Sequence, residues 1–113
     1  MIYYYTTRRH DTRPSLYLTA VEPTGFPVDL SVYETVRFHL RQRGAALDEL
    51  KVDRPAELEP ESGRIRYDWQ AADTDTVGVF FGEFELTAAD GAKRTLPANG
   101  LIRIDVLADV NNA

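Results

Sequence analysis

The sequence predicts an all-β fold, an immunoglobulin-like antiparallel β-sandwich of about seven short strands. Three observations predict it. Apolar residues recur at every second position, clusters of Pro, Gly, Asn and Asp separate those runs, and no apolar stripe of helical period extends beyond a turn or two. The 113 residues, 43% hydrophobic and 27% charged, suit a single domain of ordinary globular composition. Residues 1–9 read as an aromatic and basic N-terminal arm or edge strand, 10–107 as the sandwich, and 108–113 as a flexible tail without pattern.

The opening run Ile2 to Thr6 is aromatic and β-favouring. Leu16, Leu18 and Ala20 then alternate with Tyr17 and Thr19, which places one set on a buried sheet face. Glu22-Pro23-Thr24-Gly25-Phe26-Pro27 is a reversal, because Pro presets φ and Gly supplies a positive one. In Thr35 to Arg41, Val36, Phe38 and Leu40 face inward while Arg37, His39 and Arg41 face out. Between Ala45 and Leu58, Leu47, Leu50 and Val52 fit either a helical turn or an edge strand; a strand over 49–53 is expected, with Pro55 ending it. After the Pro60-Glu61-Ser62-Gly63 turn, Ile65, Tyr67 and Trp69 alternate cleanly, so the single Trp69 packs between the sheets. Ala71 to Thr76 makes a corner. From Gly78 to Thr87, Phe80, Gly82, Phe84 and Leu86 form the core face, leaving Val79 and Phe81 outside with Glu83 and Glu85. Asp90-Gly91 predicts a type I′ hairpin, 94–100 a linker, and Leu101 to Leu107 the last strand, with Ile102, Ile104 and Val106 inward.

Composition excludes several functions. Zero cysteines remove any disulfide framework, thiolate metal site or cysteine nucleophile. No signal peptide is expected, and no apolar run approaches the roughly 20 residues of a spanning helix, so no membrane partner is expected. Thirteen Lys and Arg against eighteen Asp and Glu leave a net charge of −5, which disfavours nucleic acid as a partner. His10 and His39 are the only histidines and show no metal-ligand spacing; no nucleophile elbow accompanies Ser15. Asp73-Thr74-Asp75 begins like a calcium loop, but the twelfth position is Phe84 where such a loop needs Glu, so a corner held by self-bonding Asp side chains is the better reading. No catalytic, cofactor or metal residues are therefore assigned. What remains points to protein partners: Tyr3 and Tyr5 on the arm, the basic Arg8 and Arg9 beside them, and Val79 and Phe81 as an outward apolar pair needing a cover. Removing residues 1–7 should, on this expectation, leave a folded monomer that no longer assembles.

His10-Asp11-Thr12-Arg13-Pro14, Gly25-Phe26-Pro27-Val28-Asp29-Leu30 and Thr35 to Arg41, followed by Ser62-Gly63-Arg64 to Trp69, Asp73-Thr74-Asp75, Gly78-Val79-Phe80, Phe84-Glu85-Leu86, Asp90-Gly91 and Thr95-Leu96-Pro97, run in a telling order. Over roughly residues 10–107 this order resembles the small immunoglobulin-like domains of tailed-phage structural proteins, in particular the phage baseplate upper protein N-terminal domain. The resemblance implies a non-enzymatic virion component of the tail, baseplate or head-tail connector region. Such a protein is made in the host cytoplasm and assembles with other phage structural proteins or as a homo-oligomer or ring. Two alternatives stand beside it, a capsid decoration protein and a surface- or glycan-binding sandwich module; the latter would use an exposed Trp69 or Tyr to stack on sugar.

Overall fold

The computed structural model describes residues 2–46 and 48–110. The described residues form nine strands: β1 (Ile2–Arg8), β2 (Leu16–Thr19), β3 (Tyr33–Gln42), β4 (Val52–Pro55), β5 (Glu57–Glu59), β6 (Arg64–Tyr67), β7 (Gly78–Ala88), β8 (Lys93–Leu96) and β9 (Leu101–Leu107). Single 3-10 turns cover Leu30–Val32 and Ala71–Thr74. One sheet has the order β1-β9-β7-β3-β4, with β8 beside the second half of β7; the other is β2-β6-β5. The fold is an all-β sandwich. Its strand order places β2, β6 and β5 where an immunoglobulin domain has B, E and D, and β3, β7 and β9 where it has C, F and G.

The core lies between the two inner faces and obeys the period-two alternation. Val36, Phe38 and Leu40 of β3, Phe80, Phe84 and Leu86 of β7 and Ile102, Ile104 and Val106 of β9 meet Leu16, Leu18, Ile65 and Tyr67 of the smaller sheet. Phe38 is the hub. Its ring lies 4.5 Å from Tyr67, 5.1 Å from Phe84 and 5.6 Å from Trp69. Gly82 faces Phe38 from β7, and a Cβ built there would sit 3.0 Å and 3.1 Å from two ring carbons. The glycine is therefore a clearance for the ring.

Several expectations need correction. The sandwich is not wholly antiparallel, since β1 pairs with β9 in parallel from Ile2↔Leu101 to Arg8↔Leu107. A parallel pairing needs no local hairpin, which is why sequence-adjacent turn signals miss it. The strand expected over 49–53 is β4, shifted to Val52–Pro55; Pro55 is tolerated there because the strand is at the edge of its sheet. At Ala56 the chain passes directly from β4 in one sheet to β5 in the other, a three-residue strand that alternation alone does not reveal. Part of the 94–100 linker is β8. The Asp90-Gly91 hairpin is not type I′: only Gly91 has a positive φ, +87°, while Ala92 N donates to the Asp90 carboxylate at 2.9 Å and Ala88 N to Ala92 O at 2.8 Å. This is the longer loop in which one glycine takes the left-handed position. Leu47, considered above for a helical turn, and residues 111–113 of the expected tail lie outside the described residues; Val110 of that tail is 85% exposed.

The corner between β6 and β7 is a buried polar network. Asp73, 2% exposed, accepts from the Tyr67 hydroxyl at 2.5 Å and from Gln70 N at 2.9 Å, with Arg54 Nε 3.5 Å away. Next to it Asp75 accepts from Lys51 and from the Thr76 hydroxyl, and Thr74 donates to Asp11 O at 3.1 Å. Burial, and then the Asp73 carboxylate, push the Tyr67 hydroxyl well above the usual tyrosine range. Asp73 thus caps the turn through Gln70 N and reaches Arg54 of β4, Asp75 pairs with Lys51 just before β4, and Thr74 ties the corner to the segment before β2.

Candidate functional site

The residues expected to meet partners divide into two groups that the structure separates. Tyr3 and Tyr5 point inward, because β1 is a strand of the sheet and its odd side chains share the inner face with Ile102 and Ile104. Tyr5 stacks on Trp69 at 5.7 Å and donates its hydroxyl to Pro14 O at 2.6 Å. Burial raises the pKa of that hydroxyl. Both rings are half-buried against the core, and the side chains that β1 presents outward are Ile2, 49% exposed, Tyr4, 71% exposed, and Thr6 and Arg8. Alternation makes Ile2 and Tyr4 the exposed set once Tyr3 and Tyr5 face the core, but both sets are apolar or aromatic, so the sequence does not say which set turns in. Arg8 donates to Ala108 O at 2.8 Å, which ties β1 to the chain after β9. Arg9 is half-buried, and its backbone N donates to Leu107 O at 2.9 Å.

Val79 and Phe81 do face out from β7, each half-buried, but β1 does not cover them. Strand β9 lies between β1 and β7. Registers place Tyr4 opposite Arg103, Arg103 opposite Phe81, and Phe81 opposite Arg41, so aromatic and guanidinium groups alternate in one row across four strands. Val79 lies opposite Asp105. Val79 and Phe81 are both half-buried, which makes the pair less of an uncovered patch than alternation alone implies. One row further, His39 sits between Asp53 at 3.3 Å and Glu83 at 3.5 Å, while Arg37 binds Asp53 at 2.7 Å. Arg37 holds the Asp53 carboxyl below the usual carboxylate range, chiefly through that hydrogen bond. His39, one of the outward residues of the alternation, is thus partly covered between two carboxylates.

The main-chain geometry of β1 is the distinctive feature. Because Arg9 N bonds Leu107 O, alternation turns the N–H and C=O groups of Tyr3, Tyr5 and Thr7 toward β9 and those of Ile2, Tyr4 and Thr6 away from it. No described residue bonds this outer row. The strand is seven residues long, and Ile2 to Thr7 carries no charge, no Pro and no Gly. The opposite edge is protected: β4 bears Asp53, Arg54 and Pro55 and runs straight into β5. Among the described residues no three His, Asp or Glu side chains are grouped to hold a metal ion, and no helix is long and apolar enough to cross a membrane.

Fold and edge together define an immunoglobulin-like sandwich in which, among the described residues, the outer edge of β1 is left open for pairing. No family model matches this chain, and no curated protein matches it.

Proposed function

We propose that this protein is a non-enzymatic structural component of a tailed-bacteriophage virion, in the tail, baseplate or head-tail connector region, acting through protein-protein assembly. The observation that carries the assembly reading is the open, uncharged edge of β1 beside an outer face rich in Arg and aromatic side chains. An edge of this kind takes a strand from a neighbour, main-chain bonds giving affinity and alternate side chains giving register. The virion part of the reading rests on the order of motifs in the sequence; the turn and corner residues of those motifs fall at bends of the sandwich, 22–28 before β3, Asp73 to Asp75 before β7, and 88–92 between β7 and β8, which bears on the fold. A sugar-binding platform on Trp69 is disfavoured by the burial of that ring, which is 3% exposed and packed on Tyr5, Phe38 and Tyr67.

Peptide mass spectrometry with copy-number calibration, on purified particles separated into heads and tails, tests the proposal. Enrichment with tails in multiples of three or six is the expected result. Enrichment with heads at the copy number of a connector ring narrows it to the head-tail connector, enrichment with heads at capsid copy number replaces it by a decoration role, and absence from both overturns the virion reading.

A further inference from the structure

We propose that the outer edge of β1 pairs with the same edge of a second copy, antiparallel about a two-fold axis at Tyr4, joining the two larger sheets into one. This deepens the assembly reading by naming the partner of its contact edge, and it does not depend on where in a virion the protein sits. The geometry selects the register. In an antiparallel pair, residues exchange both N–H···O bonds only where both strands turn those groups toward each other. On β1 those residues are Ile2, Tyr4, Thr6 and Arg8. Arg8 O already accepts from Asp11 N at 3.1 Å, which withdraws it. The remaining three match one another when Tyr4 faces Tyr4 and Ile2 faces Thr6 in both directions.

Three features favour a second copy over an unrelated strand. Two copies close two open edges at one contact, and isologous two-fold pairing is the commonest oligomer geometry. The paired segment carries no charge in a chain of net charge −5, so this is a stretch where like copies meet without local repulsion. Tyr4 and Ile2 are large exposed apolar side chains on one face, so pairing sets Tyr4 against Tyr4 and Ile2 over Thr6, shielding all of them at once. A contact limited to one strand edge buries less than the roughly 1,200 Å² of a standard interface, which makes the pair weak and concentration-dependent.

The test uses the whole chain in sedimentation velocity over a concentration series up to millimolar, with three variants. Wild type shifts from monomer to dimer across the series. Tyr4→Pro removes an N–H that only the partner uses, so dimerisation weakens at least tenfold while the melting temperature holds. Tyr5→Pro removes an N–H bonded to β9, so it lowers the melting temperature and serves as the contrast. In a chain without cysteine, Tyr4→Cys forms a disulfide-linked dimer on oxidation, since facing residues of such a pair are about 5.5 Å apart at Cα. A wild type that stays monomeric at millimolar concentration overturns the pairing, as does a dimer that survives Tyr4→Pro or fails to crosslink through Tyr4→Cys. Such results leave the virion reading standing on particle composition, and absence from particles leaves the pairing untouched.

Discussion

Replacing Gly82 by Ala puts a single methyl against the centre of the core. The added carbon would meet Phe38 Cε1 at 3.0 Å, Phe38 Cζ at 3.1 Å and Ile104 Cδ1 at 3.3 Å, all tighter than ordinary carbon contact. Phe38 has nowhere to go, because Tyr67, Trp69 and Phe84 pack round its ring and it is fully buried. Overpacking of this kind costs about 1–3 kcal/mol. A Gly→Ala change also trims the entropy of the unfolded chain, which returns roughly 0.4–1 kcal/mol. The net expectation is destabilisation by about 1–2 kcal/mol, or a fall in Tm of roughly 4–15 °C for a domain of about this size. Urea and thermal unfolding followed by the fluorescence of Trp69, the single tryptophan, reads this directly. Shortening the ring in a Gly82→Ala, Phe38→Leu double variant should recover part of the loss relative to the sum of the two single changes. A Gly82→Ala protein as stable as wild type would falsify the claim that this glycine exists to clear the ring.

Three further outcomes are expected. Asp73→Ala strands the buried Tyr67 hydroxyl and Gln70 N together and should cost about 2–4 kcal/mol, whereas Tyr67→Phe leaves Asp73 its other partners and should cost about 1 kcal/mol; equal costs in denaturant titrations would contradict this asymmetry. Deleting residues 1–7 removes the β9 pairing and the Tyr5 stack on Trp69, so the product should unfold at much lower denaturant with red-shifted Trp69 emission; a truncated chain of wild-type stability would show that β1 is dispensable after all. On acidification, Glu59 and Asp53, held low mainly by hydrogen bonds from Arg64 and Arg37, keep their charge in the folded state below the ordinary values of 4.5 and 3.8. Asp75 and Glu22 behave likewise through Lys51 and Arg94. A lowered folded pKa gives stability that is present above the unfolded value and lost as pH falls through the folded one, so unfolding free energy should be level near neutrality and decline below about pH 4.5. A flat profile down to pH 3 would exclude these contacts as contributors.

What the sequence made legible was whatever obeys a local rule. Alternation assigned Val36, Phe38, Leu40, Phe80, Phe84 and Leu86 to the core, and the buried Trp69 followed from its place in an alternating strand. Non-local pairing was not legible. The partner of β1 lies about a hundred residues away, so nothing near Tyr3 or Tyr5 says that a parallel neighbour turns them inward. The same blindness applies to β5, whose three residues become a strand only because β6 lies alongside. At the outer face the aromatic residues were recognisable, but the row linking Tyr4, Arg103, Phe81 and Arg41 is a product of register between four strands far apart in sequence. Residue type alone therefore singled out Tyr3 and Tyr5, while register decides that these two face the core and that Ile2 and Tyr4 face out.

The parallel union of β1 and β9 also sets how the domain carries tension. Strand β1 enters the sheet at the end where β9 begins, and β9 leaves it at the end where β1 stops. A pull applied through the chain before Ile2 and after Leu107 runs along both strands in opposite senses. The ladder between them is then loaded in shear, and its hydrogen bonds share the force instead of opening one after another as in a hairpin unzipped from its mouth. Arg8, bonded to Ala108 O just past the end of β9, adds a side-chain clasp at that exit. The first and last strands thus form a mechanical clamp, and the sandwich behind it is shielded from the load until the clamp gives way.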